Sequence, residues 1–560
     1  MHNSIQDYFP MKWESRPGQA KALDFIERMV AQGCTDIIIE APTGCGKTAI
    51  GAACCYWAAD WPPQALDTGG FAKSGGYYLV TQKELQKQIK ADVATNFKIR
   101  DFSCLWSAAS YPCDGGRDTM FTASVDEGMN PKISCQMGMR SKQPKCCGRK
   151  NKTCPYMIER IRFDSAQFSL TNYPFFMTER IFVGNLAKRN IMVLDECHTV
   201  EKQLLKFGEV EISDKMLREW DIRGIGVPEF DDMDTFINWL EEKYLPRIRS
   251  QLETYIEMAK AEGDDVDSSI TQRITALENQ EHKIEACISG ARVSPKNWVY
   301  WFDQTDRDGN LAYCKPLDAS PYMDILRSGS LVRVYMSAFP GHKETFCRSL
   351  GLDPDEVAWL RLGSGFPKEN RPVIMGLVGS MSRKNQVTTM PSLKRVVDKI
   401  LAKHKDEKGV IHCHSYALGN EIRNHIVAGP HGFRVIYPEK AEDRELAVAR
   451  HRNPNSGPTI LISPSVTEGF DFKGDESRWQ IIAKVPYPYL GDRQVAAKKD
   501  QSQGWYDLQT VMTIVQSAGR ICRSEDDWGV TYVLDEDFKT LYEKRRDMFP
   551  GWFKEAIVWP

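Results

Sequence analysis

The sequence predicts an α/β fold built on two parallel-sheet domains, and three observations carry that reading. Short β-branched or apolar runs, each followed by turn residues and a helical pattern, fall into two groups. The first group holds Asp36-Ile37-Ile38-Ile39-Glu40, Gly76-Tyr77-Tyr78-Leu79-Val80-Thr81 and Ile191-Met192-Val193-Leu194-Asp195. The second holds Val410-Ile411-His412, Thr459-Ile460-Leu461-Ile462, Gln480-Ile481-Ile482-Ala483 and Val530-Thr531-Tyr532-Val533-Leu534. Continuous runs of this kind suit strands covered on both faces, and their alternation with helices implies parallel sheets. The third observation is a change of texture inside the first group. Residues 101–160 are rich in Cys, Gly, Pro, Ser and Lys with little periodicity, and residues 232–290 are charged and helical, with apolar positions at Ile237, Leu240, Tyr244 and Leu245. Both read as insertions into the first α/β domain. Residues 60–76 read as a surface loop.

The chain has 560 residues, enough for three to five domains of ordinary size. Lys and Arg total 73 against 75 Asp and Glu, for a net charge of −2. Bulk charge therefore does not hold this protein to nucleic acid or membrane, which leaves a local basic groove as the route to a polyanion. No run of 18 uninterrupted apolar residues occurs, so no transmembrane helix is expected. The start, Met1 to Pro10, lacks a basic segment followed by an apolar one, so no secretory signal is expected and the reading is cytoplasmic. Of the 16 cysteines, five (Cys113, Cys135, Cys146, Cys147, Cys154) fall within 42 residues. In a chain without a secretory signal, such a patch points to metal or cluster ligation rather than disulfides. Scattered cysteines such as Cys54 and Cys287 read as small buried hydrophobes.

Ala41-Pro42-Thr43-Gly44-Cys45-Gly46-Lys47-Thr48 follows the first strand and opens a helix, the context a phosphate-binding loop needs. Gly44 and Gly46 let backbone N–H groups close around phosphate oxygens at a helix N-terminus. Lys47 is expected on the β- and γ-phosphates and Thr48 on Mg²⁺. Asp195-Glu196-Cys197-His198 ends an apolar strand. There Asp195 is expected to bind Mg²⁺, partly through water, and Glu196 to position and deprotonate the attacking water. His198 reads either as a coupling residue to the second domain or as a packed histidine. In Gln516-Ser517-Ala518-Gly519-Arg520-Ile521-Cys522-Arg523, a helical reading puts Gln516, Arg520 and Arg523 on one face. A guanidinium delivered from a second domain suits the charge that develops on a transferring phosphoryl group.

This ordered set resembles superfamily 2 helicases, in particular the XPD and DinG branch of iron–sulfur helicases, over nearly the whole chain. Residues 41–48 resemble motif I. Residues 195–198 resemble a DEAH-like motif II with Cys197 in place of Ala. Val80-Thr81-Gln82 resembles motif Ia, and Ser337-Ala338-Phe339 resembles motif III with Phe where Thr is usual. His412 to Tyr416 occupies the motif IV place, Thr467 to Phe472 resembles motif V with Asp471, and residues 516–523 resemble motif VI. Arg16-Pro17-Gly18-Gln19 resembles the adenine-recognising element, which implies that Gln19 reads the base. The resemblance implies an ATP and Mg²⁺ site of Gln19, Thr43, Gly44, Cys45, Gly46, Lys47, Thr48, Asp195 and Asp471, with catalysis by Lys47, Asp195, Glu196, Gln516, Arg520 and Arg523. The cysteine patch lies between motifs Ia and II, as this branch requires. The resemblance then implies a [4Fe–4S] cluster on Cys113, Cys135, Cys146 (or Cys147) and Cys154. Four cysteines are equally a structural zinc pattern, and either metal would staple a segment too poor in apolar residues for its own core.

The implied architecture is two RecA-like P-loop motor domains. The first motor domain comprises residues 1–100, 161–204 and 326–365. It is interrupted by an iron–sulfur domain at 101–160 and a helical arch at 205–325, and the second motor domain is 366–560. The arch and cluster domains would form a pore for one strand over the first motor domain. Trp106, Tyr111 and Tyr173 are candidates for base stacking. The implied activity is ATP-dependent DNA unwinding with 5′→3′ travel, by a monomer acting on single-stranded and forked duplex DNA, without membrane. Two rival readings are an ATP-driven translocase that strips proteins or removes R-loops, and a zinc-stapled single-strand binder that uses ATP as a switch. The P-loop begins at residue 41, so the nuclease domain that some DinG-like proteins carry before it is not expected.

Overall fold

The structure, a computed structural model, describes residues 3–42, 44–67, 69–111, 154–183, 186–262, 268–440, 443–463, 472–522 and 526–559. Its strands in chain order are β1 (Asp36–Glu40), β2 (Lys73–Val80), β3 (Phe102–Cys104), β4 (Phe168–Asn172), β5 (Arg189–Asp195), β6 (Val210–Ser213), β7 (Trp298–Thr305), β8 (Gly309–Pro316), β9 (Ser330–Ser337), β10 (Ala358–Arg361), β11 (Val373–Gly379), β12 (Gly409–His412), β13 (Val435–Ile436), β14 (Ile460–Ser463), β15 (Trp479–Ile482), β16 (Val530–Asp535) and β17 (Ile557–Val558). The helices that matter below are α1 (Pro17–Ala31), α2 (Lys47–Trp57), α3 (Lys83–Asn96), α4 (Pro155–Ser165), α5 (Val200–Gly208), α6 (Leu245–Glu262), α7 (Ser268–Val293), α8 (Gln386–Lys403), α9 (Arg493–Gln501) and α10 (Gln503–Ala518).

Two seven-stranded parallel sheets organise the chain. The first has the order β10-β1-β9-β5-β2-β4-β3, and the second β13-β14-β12-β15-β16-β11-β17. Each apolar run read from the sequence is a strand of one of them. In β1 and β5 every residue is buried, as continuous apolar runs require when helices cover both faces. α2 lies so close to the first sheet that a Cβ on Gly51 would sit 2.5 Å from the Tyr78 ring. No helix among the described residues is long and apolar enough to cross a membrane.

Two features differ from the expected layout. The segment 101–160 is not wholly separate from the first sheet, because β3 pairs in parallel with β4 as its last strand. Three residues are too short a run to show a period. The segment between β5 and β9 is not purely helical either. α6 and α7 pack with a three-stranded antiparallel sheet of order β6-β8-β7. Its hairpin turns through Asp306-Arg307-Asp308 into Gly309, whose φ of +74° is the left-handed geometry a three-residue hairpin loop needs.

One buried ion pair joins β1 to β9 in the first sheet. Asp36 faces Arg333 across the β1–β9 pairing. Arg333 donates to both carboxylate oxygens, at 2.7 and 2.8 Å, and Tyr335 and Thr35 donate to them as well. Burial alone would push the Asp36 carboxyl up, but the Arg333 guanidinium outweighs it and holds the group below the usual carboxylate range.

Candidate active site

The phosphate loop is shaped by two glycines and braced from behind. Gly44 and Gly46 have φ of +80° and +79°, a geometry that other residues adopt only with strain. α2 starts at Lys47 with no side chain capping it, so its first backbone N–H groups are left for an anion. Arg16 donates to the Gly44 carbonyl at 3.1 Å. Gln19 is almost fully buried, accepting from the Arg16 N–H at 2.9 Å and donating to the Gly46 carbonyl at 3.4 Å. The structure thus places Gln19 under the loop, with its carboxamide on the backbone. Thr43 lies outside the described residues.

Motif II sits at the C-terminal end of β5, next to β9 and one strand removed from β1. The Asp195 carboxylate is buried. One oxygen accepts from the Tyr78 hydroxyl at 2.9 Å and the other from the Glu196 N–H at 2.9 Å. The Tyr78 phenol also meets the Thr48 hydroxyl, so one tyrosine on β2 joins the phosphate loop to motif II. Tyr173 donates to the Asp195 backbone carbonyl at 2.8 Å. Burial and the neighbouring Glu196 charge push Asp195 above the usual carboxylate range, while the Lys47 ammonium pulls it back down. A buried carboxylate in this condition, beside a threonine hydroxyl and a phosphate loop, has the donor chemistry for Mg²⁺. Glu196 behaves oppositely. Burial raises it, but Lys47, His198 and Arg520 together hold it below the usual carboxylate range, so it stays charged as a base must. Glu196 also occupies the left-handed region at φ 48° and ψ 47°, a strain seen at functional positions.

His198 is packed within the first domain, two hydrogen bonds away from Phe339 of the second domain's core. Its Nδ1 lies 2.8 Å from Ser337 Oγ and 3.3 Å from Glu196 Oε2. It therefore ties motif II to the end of β9, within the first domain. Ser337 also accepts from the Phe339 N–H at 3.3 Å. Phe339 itself leaves the first domain and is buried in the core of the second with Ile482, Val485, Leu508 and Val511.

Arg520, on the second domain, acts on the site through its charge. Its charge is felt at both Glu196 and His412. The geometry corrects one expectation. Gln516 and Arg520 do not share a helix face, because α10 ends at Ala518. Gly519, a weak helix former, closes it, and the Arg520 carbonyl then accepts from the Phe472 N–H at 3.1 Å. Gln516 lies in the last turn of α10. Arg523 and Asp471 lie outside the described residues.

A second contact between the domains was not foreseen. Glu201, at the start of α5, bonds Lys498 of α9 at 2.5 Å and accepts from the Trp505 indole of α10 at 3.0 Å. Lys498 also donates to the Leu317 carbonyl at 2.9 Å and lies 4.7 Å from the centre of the Trp505 ring. Both charges are nearly buried. Nothing in the local sequence marks them, since a Glu early in one helix and a Lys late in another read as ordinary surface residues.

Among the described residues no group of three or more His, Cys, Asp or Glu is placed to hold a metal. Of the predicted cluster ligands, Cys113, Cys135, Cys146 and Cys147 lie outside the described residues. Cys154 is buried at the start of α4. The flanks of the cysteine segment meet: the rings of Tyr111 and Tyr156 are 5.4 Å apart. Trp106, Tyr111 and Tyr173, named as stacking candidates, are all buried in the first core and present no face to a nucleic acid. Each sits beside the first sheet, where an aromatic residue packs as a hydrophobe.

Residues 399–556 match the Helicase C-terminal domain family and residues 123–217 match the DEAD_2 family. A regulator of telomere elongation helicase 1 homolog of Caenorhabditis elegans is 30% identical over 22% of this chain, which spans only 14% of that protein. A probable ATP-dependent helicase of Methanocaldococcus jannaschii is 20% identical over 95% of this chain and 93% of its own length. The ATP-dependent DNA helicase DinG of Photobacterium profundum is 26% identical over 34% of this chain and 29% of its own. Among solved structures, one titled XPD helicase shares the fold at a TM-score of 0.56 with 16% identity, covering 97% of this chain and 99% of that one.

Proposed function

We propose that this chain, a superfamily 2 helicase of the XPD/DinG-like kind, couples ATP hydrolysis to 5′→3′ travel along single-stranded DNA and to the opening of a forked duplex. The observation that carries the reading is that the Arg520 guanidinium of the second domain is close enough for its charge to help hold Glu196 of the first in its ionised form. A base for water on one domain and a guanidinium on the other complete a hydrolytic site only when both domains are in place. ATP binding and domain placement are then one event, which is what a motor needs.

In this reading Lys47 and the backbone of residues 44–48 hold the phosphates. Glu196, kept charged by Lys47 and His198, takes the proton of the attacking water. Arg520, with Arg523, stabilises the charge that grows on the γ-phosphate. Tyr78 holds Thr48 and Asp195 in mutual register, and these two side chains with Asp471 would hold the metal. Bound Mg²⁺ supplies charge neutralisation on the β- and γ-oxygens. Cys113, Cys135, Cys146 or Cys147, and Cys154 would hold a [4Fe–4S] cluster. The meeting of the segment's two flanks at Tyr111 and Tyr156 supports this, because it brings the positions next to the first and last ligands together. Cluster binding would fix the fold of a segment poor in apolar residues.

The test uses ATPase rate with and without oligothymidylate, and forked duplexes carrying a single 5′ or 3′ tail. The expected result is strand-stimulated turnover and opening of the 5′-tailed substrate, both lost in Lys47→Ala. Opening only of the 3′-tailed substrate would reverse the polarity. Displacement of a strand-bound protein without duplex opening would make the chain a remodeller. Normal turnover in Lys47→Ala would remove the P-loop assignment.

A further inference from the structure

With Trp106, Tyr111 and Tyr173 buried, any face on which bases stack lies elsewhere. In the second sheet all strands run parallel, so Gly379, His412, Ile482 and Asp535 end on one edge. Two loops at that edge are fastened together by a single buried carboxylate. Asp535 accepts from the Met381 N–H at 2.9 Å and from the Val485 N–H at 2.8 Å. The first loop carries Arg383 and Lys384, both exposed. The second runs Val485-Pro486-Tyr487-Pro488-Tyr489-Leu490 and leads into α9 at Arg493, also exposed.

This second loop is rigid for a reason. The Tyr506 hydroxyl donates to the Pro488 carbonyl at 3.0 Å, and the Tyr487 ring stacks on Tyr506 at 5.8 Å. The Asp492 N–H donates to the Tyr489 carbonyl at 3.1 Å, and the Asp492 carboxylate is spent on the first N–H groups of α9. The backbone at Tyr489 is therefore fixed from both sides. Its side chain is nonetheless 80% exposed, the most exposed tyrosine among the described residues. A rigidly presented aromatic ring, on a loop fastened to one that carries exposed guanidinium and ammonium groups, is the combination that binds single strands: the ring takes a base and the cations take phosphates.

We propose that Tyr489 is a base-stacking residue for single-stranded nucleic acid, with Arg383, Lys384 and Arg493 as its phosphate contacts. The proposal rests on the helicase reading above and gives it a strand-binding surface on the second domain. The stacking is indifferent to base identity, since every base has a π-face, so the site reads a strand and not a sequence.

The experiment measures affinity of the full chain, by fluorescence anisotropy, for a labelled oligothymidylate of about twenty nucleotides and for an abasic strand of the same length. Tyr489→Ala should weaken oligothymidylate binding about tenfold while the abasic strand changes less than about twofold. Tyr489→Phe should keep the wild-type affinity, because the ring and not the hydroxyl makes the contact. A double variant Arg383→Gln with Lys384→Gln should weaken both strands alike and flatten the salt dependence, as lost phosphate contacts do. Unchanged oligothymidylate affinity in Tyr489→Ala overturns the proposal, and so does an equal loss on the abasic strand. Either result with a wild-type protein that binds tightly leaves the helicase reading standing. A wild-type chain that binds neither strand removes both.

Discussion

The contact between Glu201 and Lys498 should decide how firmly the two motor domains are held together. The perturbation is Glu201→Gln. The glutamine keeps the shape and can still accept from the Trp505 indole, but it leaves the Lys498 ammonium nearly buried without its countercharge. Removing one partner of a buried pair costs about 3–5 kcal/mol. Lys498 keeps its bond to the Leu317 carbonyl and its place over the Trp505 ring, which argues for the lower end of that range. About 3 kcal/mol corresponds to roughly a 150-fold shift in the docking equilibrium. Arg520 acts across the same interface, so the shift should appear as a fall in kcat/KM for ATP. The assay pairs steady-state ATPase with energy transfer between dyes placed on the two domains. Pairing Glu201→Gln with Lys498→Met should restore much of the loss, because no buried charge then stands alone. Unchanged energy transfer and kcat/KM in Glu201→Gln would refute the reasoning. A double variant as impaired as the sum of the singles would refute it equally, since the effect would then not come from the pair.

Three further outcomes are expected. Arg520→Ala should leave nucleotide binding intact, checked with a fluorescent ATP analogue, and slow hydrolysis by about 10³-fold or more. Gly46→Ala should abolish nucleotide binding, because a Cβ there would lie 2.3 Å from the Gln19 amide and the φ of +79° disfavours it further; wild-type affinity would contradict the loop geometry. Asp36→Asn should destabilise the first domain by about 3–5 kcal/mol, since it strips Arg333 of its countercharge. The Asp36 carboxyl is held low in the folded protein, so its contribution is present above the ordinary carboxylate range and is lost as pH falls through the folded value. Melting curves should show wild type losing stability below about pH 4 faster than Asp36→Asn, and parallel curves would contradict this.

What could be read from the sequence was what local pattern decides. β1 and β5 announced themselves through the unbroken apolar runs Ile37–Ile39 and Ile191–Leu194, the composition that burial on both faces demands. The phosphate loop and motif II were legible because glycines with positive φ and acids at a strand end have few other uses. What long-range packing decides stayed hidden. Tyr78 read as part of an apolar strand and Tyr173 as a stacking candidate, and only the tertiary fold turns their hydroxyls toward Thr48 and Asp195. β3 was too short to show, and the β7–β8 hairpin hid among charged neighbours. The end of α10 was overrun because Gln516 and Arg520 are spaced as a helix would space them, whereas Gly519 stops the helix before the second of them arrives.

The same helix explains why the domains fit at motif II. Trp505, Leu508, Gln509 and Met512 of α10 line a cavity with Cys197, His198 and Glu201. Their spacing of three, four and seven residues makes one face of a helix, and Gln516, eleven residues on from Trp505, continues it. α10 therefore lies along the segment that follows Asp195. Its first turn is held at Glu201 by Trp505, and Arg520, just past its last turn, acts on Glu196. Sixteen residues span about 24 Å, so a tilt of a few degrees about the Trp505 end would move the Arg520 end by an ångström or more. Phe339, seated in the core of the second domain beside Leu508 and bonded through its N–H to the Ser337 hydroxyl that also meets His198, carries such a tilt back to motif II. In the proposed reaction, one rigid helix anchored at Glu201 and carrying Arg520 just past its far end would convert domain position into the presence or absence of a guanidinium at Glu196.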